Sequence, residues 1–353
     1  MARYLVKMTP LSPYAFGTDM KFNFPGDEKT GKESYIVVSK LLPEQTTLLG
    51  MLRYMVLDSN NVLQTNGKYS DQDQKLIREL IGKESFSFKK KNQTFGKIKS
   101  ISPVFILRNN DNKIFIKNPF HNINKNGTHH FATMENEKLF TSYGEINLPS
   151  EKIEVEHIFV NVNLEEEYIE ESKLFQRDYQ VGIKKNRSKN ETEDDSFFKQ
   201  EFITLLEGYS FGIYVECDKL PEKSIQYMGQ KKSAFLIEAI PQKLDSESSL
   251  DSLVKKRFRH ETGSWFYALS DIYLDQPFDG LNTFSIVEKK SLRNLETDYQ
   301  NGKLKTKRTN IQFNLISSGS VFFEMNPLGC IDNSKDYKYQ VGYNHVIQIG
   351  GNH

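Results

Sequence analysis

The side chains in this 353-residue chain that could act on a ligand are mostly cationic, and they come in clusters. Lys89, Lys90, Lys91, Lys97 and Lys99 are interleaved with Phe86, Phe88 and Phe95, a mixture able to hold phosphates by charge and bases by stacking. Lys184, Lys185, Arg187 and Lys189 form a second cluster, and Lys255, Lys256, Arg257 and Arg259 a third. A sheet edge guarded by lysines presents the same composition, so each cluster alone is a weak signal. His121, His129 and His130 fall in NPFHNINKNGTHHF, which has no carboxylate or cysteine at ligand spacing. Solvent-exposed loop histidines are expected there, not a metal site or a general base. Gly26–Lys32 has the spacing of a phosphate-binding loop, yet Glu33 stands where Ser or Thr would hold magnesium. The strand-like SYIVVS follows it, so no helix N-terminus would face a phosphate and a charged turn is expected. No GxSxG or HExxH run is present, and Cys217 and Cys330 have no metal-type spacing. No cofactor and no metal are expected.

Charge is plentiful but balanced, 47 basic against 46 acidic residues, whereas a protein that grips nucleic acid over its whole surface shows a basic excess. Any polyanion must therefore meet local patches or be shared with other subunits. The opening MARYLVKMTPLSP lacks a signal-peptide apolar core, and no apolar run approaches a membrane span. The expectation is a soluble cytoplasmic protein with no membrane partner.

These groups need elements to position them. Leu41–Tyr54 reads as a helix, with Leu48, Met51, Leu52, Met55 and Val56 at helical spacing. Pro43 suits its first position, and Thr46 or Thr47 its N-cap. Gly50 invites a close backbone contact, and Arg53 projects from the rim as a phosphate or carboxylate partner. Asp71–Ile81 is a second amphipathic helix with Leu76, Ile77, Leu80 and Ile81 inward, closed by Gly82. Strands are expected at Arg3–Met8, Met20–Phe24, Tyr35–Ser39, Ile153–Val162, Phe197–Leu206, Ser210–Cys217, Ser233–Ile240 and Val341–Ile349. VFILR and KIFIK form a hairpin around NNDN, Gln312–Met325 is two strands broken at Ser317–Ser320, and Leu220–Gln230 is a loop. Regular strand–helix alternation is missing, so the fold class is α+β with antiparallel sheets, divided loosely near residue 165.

Several stretches together resemble one family. LPEQTTLLGMLRY is similar to the Pro-x-x-Thr-x-x-Gly-x-x-Arg helix of RAMP-type CRISPR proteins, carried by Pro43, Thr46 or Thr47, Gly50 and Arg53. PLSPYAFG resembles that family's first loop, YQVGI and FFKQEFITLLEGYSFGIYVECD the opening of its second half, and YMGQKKSAF its glycine-plus-basic segment. LISSGSVFFE and GYNHVIQIGG resemble its Gly-Ser-Val-aromatic strand and its C-terminal glycine-rich element, which in relatives commonly runs on beyond the double glycine. The set spans nearly the whole chain in order and is most similar to the third subunit of the type III-B (Cmr) CRISPR effector.

The resemblance implies two ferredoxin-like (RRM-related) RAMP domains. Residues 1–165 would carry a basic hairpin insertion near 86–117, and 166–353 would end in the glycine-rich element. It implies a non-catalytic subunit that binds the repeat-derived 5′ tag of the CRISPR RNA in antiviral defence. The partners would be the large polymerase-like subunit and the first backbone subunit. The RNA-binding residues it suggests are Gln45, Thr46, Thr47, Arg53, Lys89, Lys90, Lys91, Lys97, Lys184, Lys185, Arg187, Gln230, Lys231, Lys232, Asn344, His345, Gly350 and Gly351. The alternatives are a guide-processing RAMP endonuclease using His345 or His130, the equivalent cap subunit of a type III-A or III-D complex, and a scaffold without RNA contact.

Overall fold

The computed structural model describes residues 2–17, 21–22, 35–64, 68–125, 128–131, 133–135, 138–141, 144–147, 157–163, 167–186, 191–243, 249–259, 264–275, 284–300, 303–329 and 336–350. The first strand, β1 (Ala2–Pro10), runs through the middle of the main sheet. Its alternation puts Val6 and Met8 on one face and Leu5 and Lys7 on the other, as the two-residue period of a strand requires. The sheet's other members are β2 (Ile98–Ile101), β3 (Phe105–Arg108), β4 (Ile114–Lys117), β5 (Ile158–Asn161), β6 (Tyr168–Glu170), β7 (Tyr209–Cys217), β8 (Lys223–Met228) and β9 (Ser233–Gln242). The order is β6-β5-β4-β3-β7-β1-β9-β8, with β2 also on β7, and every pair is antiparallel. The α+β class with antiparallel sheets thus holds, and this sheet draws strands from both sides of residue 165. The expected loop at Leu220–Gln230 is instead edge strand β8, whose burial alternates but whose inward positions include the polar Ser224 and Gln226, so no apolar alternation marks it in the sequence.

One face of the sheet is covered by α1 (Gln45–Ser59), which buries Leu48, Leu49, Met51, Leu52, Met55 and Val56 against Val6, Met8, Ile213 and Phe235. The helix starts between the two expected places, after Pro43 and before a Thr46 or Thr47 cap would begin it. Glu44 is the N-cap, with Pro43 before it, and Thr46 and Thr47 lie inside the first turn. Gly50 faces solvent with nothing within 4 Å of where a Cβ would stand, so the expected close contact is absent. α2 (Asp71–Ile81) has the expected bounds, because Ser70 and Asp73 form a reciprocal capping box and Gly82 takes φ 87° after the last turn. Ile77 and Leu80 are buried, whereas Leu76, expected inward, is exposed.

The second face carries a smaller layer of Trp265–Ala268, Ser285–Ile286, Val321–Phe323 and Val346–Ile349, together with α3 (Leu250–Arg257). Trp265, Tyr267, Val321 and Ile347 pack on Phe105, Leu107, Ile114, Ile116 and Val160, over the β3–β5 end. Beyond these layers stand two long hairpins, Phe175–Asn186 with Glu191–Leu205 and Lys289–Gln300 with Lys303–Ile316, the first joined by Tyr35–Val37 in a parallel pair, and several shorter antiparallel pairs. The expected hairpin insertion over 86–117 is not one. β3 and β4 do pair around the NNDN turn, but inside the main sheet. Phe86, Phe88 and Phe95 are 5 %, 1 % and 3 % exposed, because their rings fill the core rather than face a ligand. Among the described residues no helix is long and apolar enough to cross a membrane.

Candidate nucleic-acid interface

The turn before α1 meets the C-terminal element, some 300 residues away in sequence. Gly342, at φ 88°, lies so close that a Cβ there would stand 2.7 Å from the Gln45 amide and 2.8 Å from the Ser102 carbonyl oxygen. Only glycine fits that approach and that backbone conformation. With its amide oriented to suit its neighbours, Gln45 donates to the Val341 carbonyl (3.2 Å) and accepts from the Val104 amide (3.0 Å). Tyr343, buried among Phe86 and Phe88, reaches Thr46 and lies 3.4 Å from the Glu44 carboxylate. Burial pushes its phenol well above the usual range.

Glu44 is the electrostatic centre of this junction. Burial alone would raise its pKa, but Lys290 at 2.9 Å and Lys40 at 2.6 Å outweigh that and hold it at about 2. Lys290 also pairs with Asp271, which accepts from the Ser318 amide at the Ser317–Ser320 turn. One carboxylate thereby ties α1, the base of the 289–316 hairpin and the C-terminal layer together. Sequence reasoning missed this network, since a glutamate before a helix reads as solvated and nothing local announces a lysine 246 positions on.

The 86–93 loop lies against the same element. Tyr337 donates to the Phe88 carbonyl at 2.5 Å, and Asn294 to that of Phe86 at 3.2 Å. Between this loop and α4 (Tyr337–Gln340) runs a cleft of about 320 Å³, walled by Lys89, Lys91, Asn92 and Gln93 on one side and Asp275, Asp336, Lys338 and Gln340 on the other. Lys338 is paired with Asp275 (2.7 Å) and Asp336 (3.3 Å), and Lys90 with Glu84 (2.6 Å). Lys89 and Lys91 are exposed, and their ammonium groups make no ion pair with a described residue.

The remaining expected residues divide by position. Arg53 donates to the Glu84 carbonyl (2.8 Å) and lies over the Phe95 ring, and burial pulls its pKa down to about 10. Asn344, buried, exchanges hydrogen bonds with the backbone of Tyr273. His345, also buried, stacks on Tyr339 and places its ring nitrogens 3.3 Å from Asp251 and 3.1 Å from the Tyr339 carbonyl. Gly350 takes φ 69° and bonds the Phe258 carbonyl. Lys97 is paired with Asp218 at 2.9 Å.

Gln230, Lys231 and Lys232 are exposed at the β8–β9 turn, where the Gln230 amide bonds Ala15 and its side chain meets Gln200. Lys184 and Lys185 belong to the Phe175–Asn186 strand, with only their backbone described. Arg187, Gly351 and the phosphate-loop-like 26–33 stretch lie outside the described residues. His121 corrects its expectation. It is fully buried and stacked on Trp265 at 4.5 Å, and burial takes its pKa down to about 3. His129 and His130 pair through their backbones with Asn124 and Ile123.

The class these features define is a β-rich α+β protein whose far-separated loops converge on a buried ionic junction, beside lysines that make no ion pair with a described residue. Among the described residues no cluster of three or more His, Cys, Asp or Glu side chains could hold a metal ion. The family model described as CRISPR-associated protein (Cas_Cmr3) matches residues 6–262, and the chain belongs to that family, as its sequence stretches indicated. A chain of the cryo-EM structure of the type III-B Cmr-beta bound to cognate target RNA is 14 % identical, with a TM-score of 0.49, over 99 % of this chain and 98 % of that one. A chain of the Cmr-beta bound to cognate target RNA and AMPPnP (state 1) is 15 % identical, with a TM-score of 0.46, over 97 % and 95 %. A chain of the crystal structure of the Csm3-Csm4 subcomplex in the type III-A CRISPR-Cas interference complex is 13 % identical, with a TM-score of 0.38, over 99 % and 100 %. No curated protein matches the chain.

Proposed function

We propose that this chain is a structural, non-catalytic subunit of a type III-B CRISPR effector. In that role it binds the repeat-derived 5′ tag of the CRISPR RNA and joins the large polymerase-like subunit to the first backbone subunit. Family membership supports the assembly. The observation that carries the RNA reading is the cleft beside the α1 junction, where Lys89 and Lys91 are left without ion-pair partners among the described residues. Unpaired ammonium groups at a cleft mouth suit phosphates, and the amides of Asn92 and Gln340 suit base edges. Arg53 through its bond to the Glu84 carbonyl, and Asn344 and His345 through theirs to Tyr273 and Asp251, are held by the chain itself and act as positioning residues. The division into two ferredoxin-like RAMP units near residue 165 belongs to the same reading, with the shared main sheet as their seam.

The test is binding of a tag-bearing RNA to the purified full chain over a range of salt, against an RNA of equal length with a scrambled 5′ end. The doubly substituted Lys89→Ala/Lys91→Ala protein should bind on the order of tenfold more weakly at low salt. Its log–log salt slope should be shallower by roughly 1.4, from two phosphate contacts on a single strand. An unchanged affinity and slope would refute the assignment.

A further inference from the structure

Of the ten large hydrophobic residues that stand exposed among the described residues, three gather in one place. Ile225 (55 %) and Tyr227 (67 %) on β8 and Leu11 (52 %), bonded to Ala234 just past β1, cluster at one end of the main sheet, while Ile240 stands further along β9, beyond the Glu238–Lys7 pair. The register places Ile225 opposite Leu236, Tyr227 opposite Ala234 and Ile240 opposite Leu5, all on the face opposite α1. The C-terminal layer covers that face over β3–β5, reaches Tyr214 of β7 and Leu5 of β1 at its border, and includes no residue of β8 or β9. The exposed strip of Leu11, Tyr227 and Ile225, continued by half-buried Ala234 and Leu236 on β9, is the kind of apolar surface that marks an interaction site.

The backbone at the same place is open as well. Ala239 donates to the Glu222 carbonyl at 2.9 Å, which sets the phase of the β8–β9 ladder. Glu222, Ser224, Gln226 and Met228 therefore bond inward, and the N–H and C=O groups of Lys223, Ile225 and Tyr227 point away from the sheet. β8 is an edge strand, since only β9 pairs with it among the described residues. Outward amides and exposed apolar side chains thus fall on the same residues.

We propose that a neighbouring protein subunit lays an extended segment along β8 as a further strand, apolar at alternate positions and acidic at its ends. Charge identifies the occupant. Lys223 at one end of the strand and Lys231 and Lys232 at the other are exposed and make no ion pair with a described residue, and they complement carboxylates. A second copy of this chain pairing antiparallel across β8 would set Lys223 against the partner copy's lysine turn at both ends, a like-charge clash. The strip itself is aliphatic apart from Tyr227, and the carboxylate of Glu238, paired with Lys7 at 3.7 Å, borders it beyond Ile225, which suits protein better than stacked bases. The inference rests on the subunit reading above, but not on the tag site.

The test compares amide hydrogen exchange of the full chain alone, with tag RNA alone, and in the complex purified with the subunits encoded beside it. The amides of Ile225 and Tyr227 should exchange freely in the first two samples and slow by on the order of a hundredfold in the third. Ile225→Pro removes one outward donor, a change tolerated on an edge strand, and Tyr227→Lys breaks the apolar strip. Each should lower retention of one protein subunit on the order of tenfold, with melting temperature and tag-RNA binding unchanged. Unaltered exchange in the complex, or full assembly of both variants, overturns the proposal. So does protection by RNA alone, or protection that rises with the concentration of the chain alone. Loss of tag binding in the wild-type chain would strike the RNA reading and leave this one standing.

Discussion

Glu44→Gln removes one charge and almost no volume from the junction that ties α1 to the C-terminal element. In the wild type the carboxylate is buried, with Lys290 and Lys40 within 3 Å, and its pKa sits at about 2 against an ordinary 4.5. That gap corresponds to about 3 kcal/mol of folding stability, near the low end of what breaking a buried ion pair costs. The sign follows from the direction. A carboxylate whose folded pKa is depressed contributes its full stability above pH 4.5, and the contribution drains away as pH falls from 4.5 toward 2. Urea unfolding of the full chain at pH 7 should therefore show the variant about 3 kcal/mol less stable. With a slope near 3 kcal/mol per molar, that lowers the midpoint by roughly 1 M. Repeating the pair of curves at successively lower pH should bring them together, because only the wild type has this contribution to lose. A difference under about 1 kcal/mol at pH 7, or a gap that stays constant down to pH 3, would show that Glu44 does not hold the junction.

Two glycines of the family pattern should behave oppositely in the same unfolding assay. Gly342→Ala forces a Cβ onto Gln45 and the Ser102 carbonyl at positive φ and should cost about 2–3 kcal/mol, whereas Gly50→Ala meets open space in an exposed helix position and should stabilise by about 0.5–1 kcal/mol. His121 is held neutral, with a folded pKa of about 3 below the ordinary 6.5, so the wild type should lose stability as pH falls through 6.5 and below. His121→Phe, which keeps the stack on Trp265, should lose less between pH 7 and 5; equal losses would refute burial as the cause.

Local chemistry decided much of this protein within the sequence. The capping box of Ser70 and Asp73 with Gly82 set both ends of α2, and period-two alternation located β1, β7 and β9 to within a few residues. The order of short glycine, threonine and basic motifs identified the family, although only some record a local backbone demand: Gly342 does, at positive φ against Gln45, and Gly50 does not. Tertiary structure decided which groups remained free to act. Phe86, Phe88 and Phe95 look like stacking platforms beside lysines, but their burial depends on Tyr343 and Phe313, more than 200 residues away. His121 reads as a loop histidine until Trp265 lies across it. Pro43 and Thr46 could each begin a helix by local preference, yet the chain starts it after Glu44, whose charge is satisfied by Lys290 of a distant strand. Side chains at those sites are assigned by long-range burial and charge pairing, neither of which any window of the sequence contains.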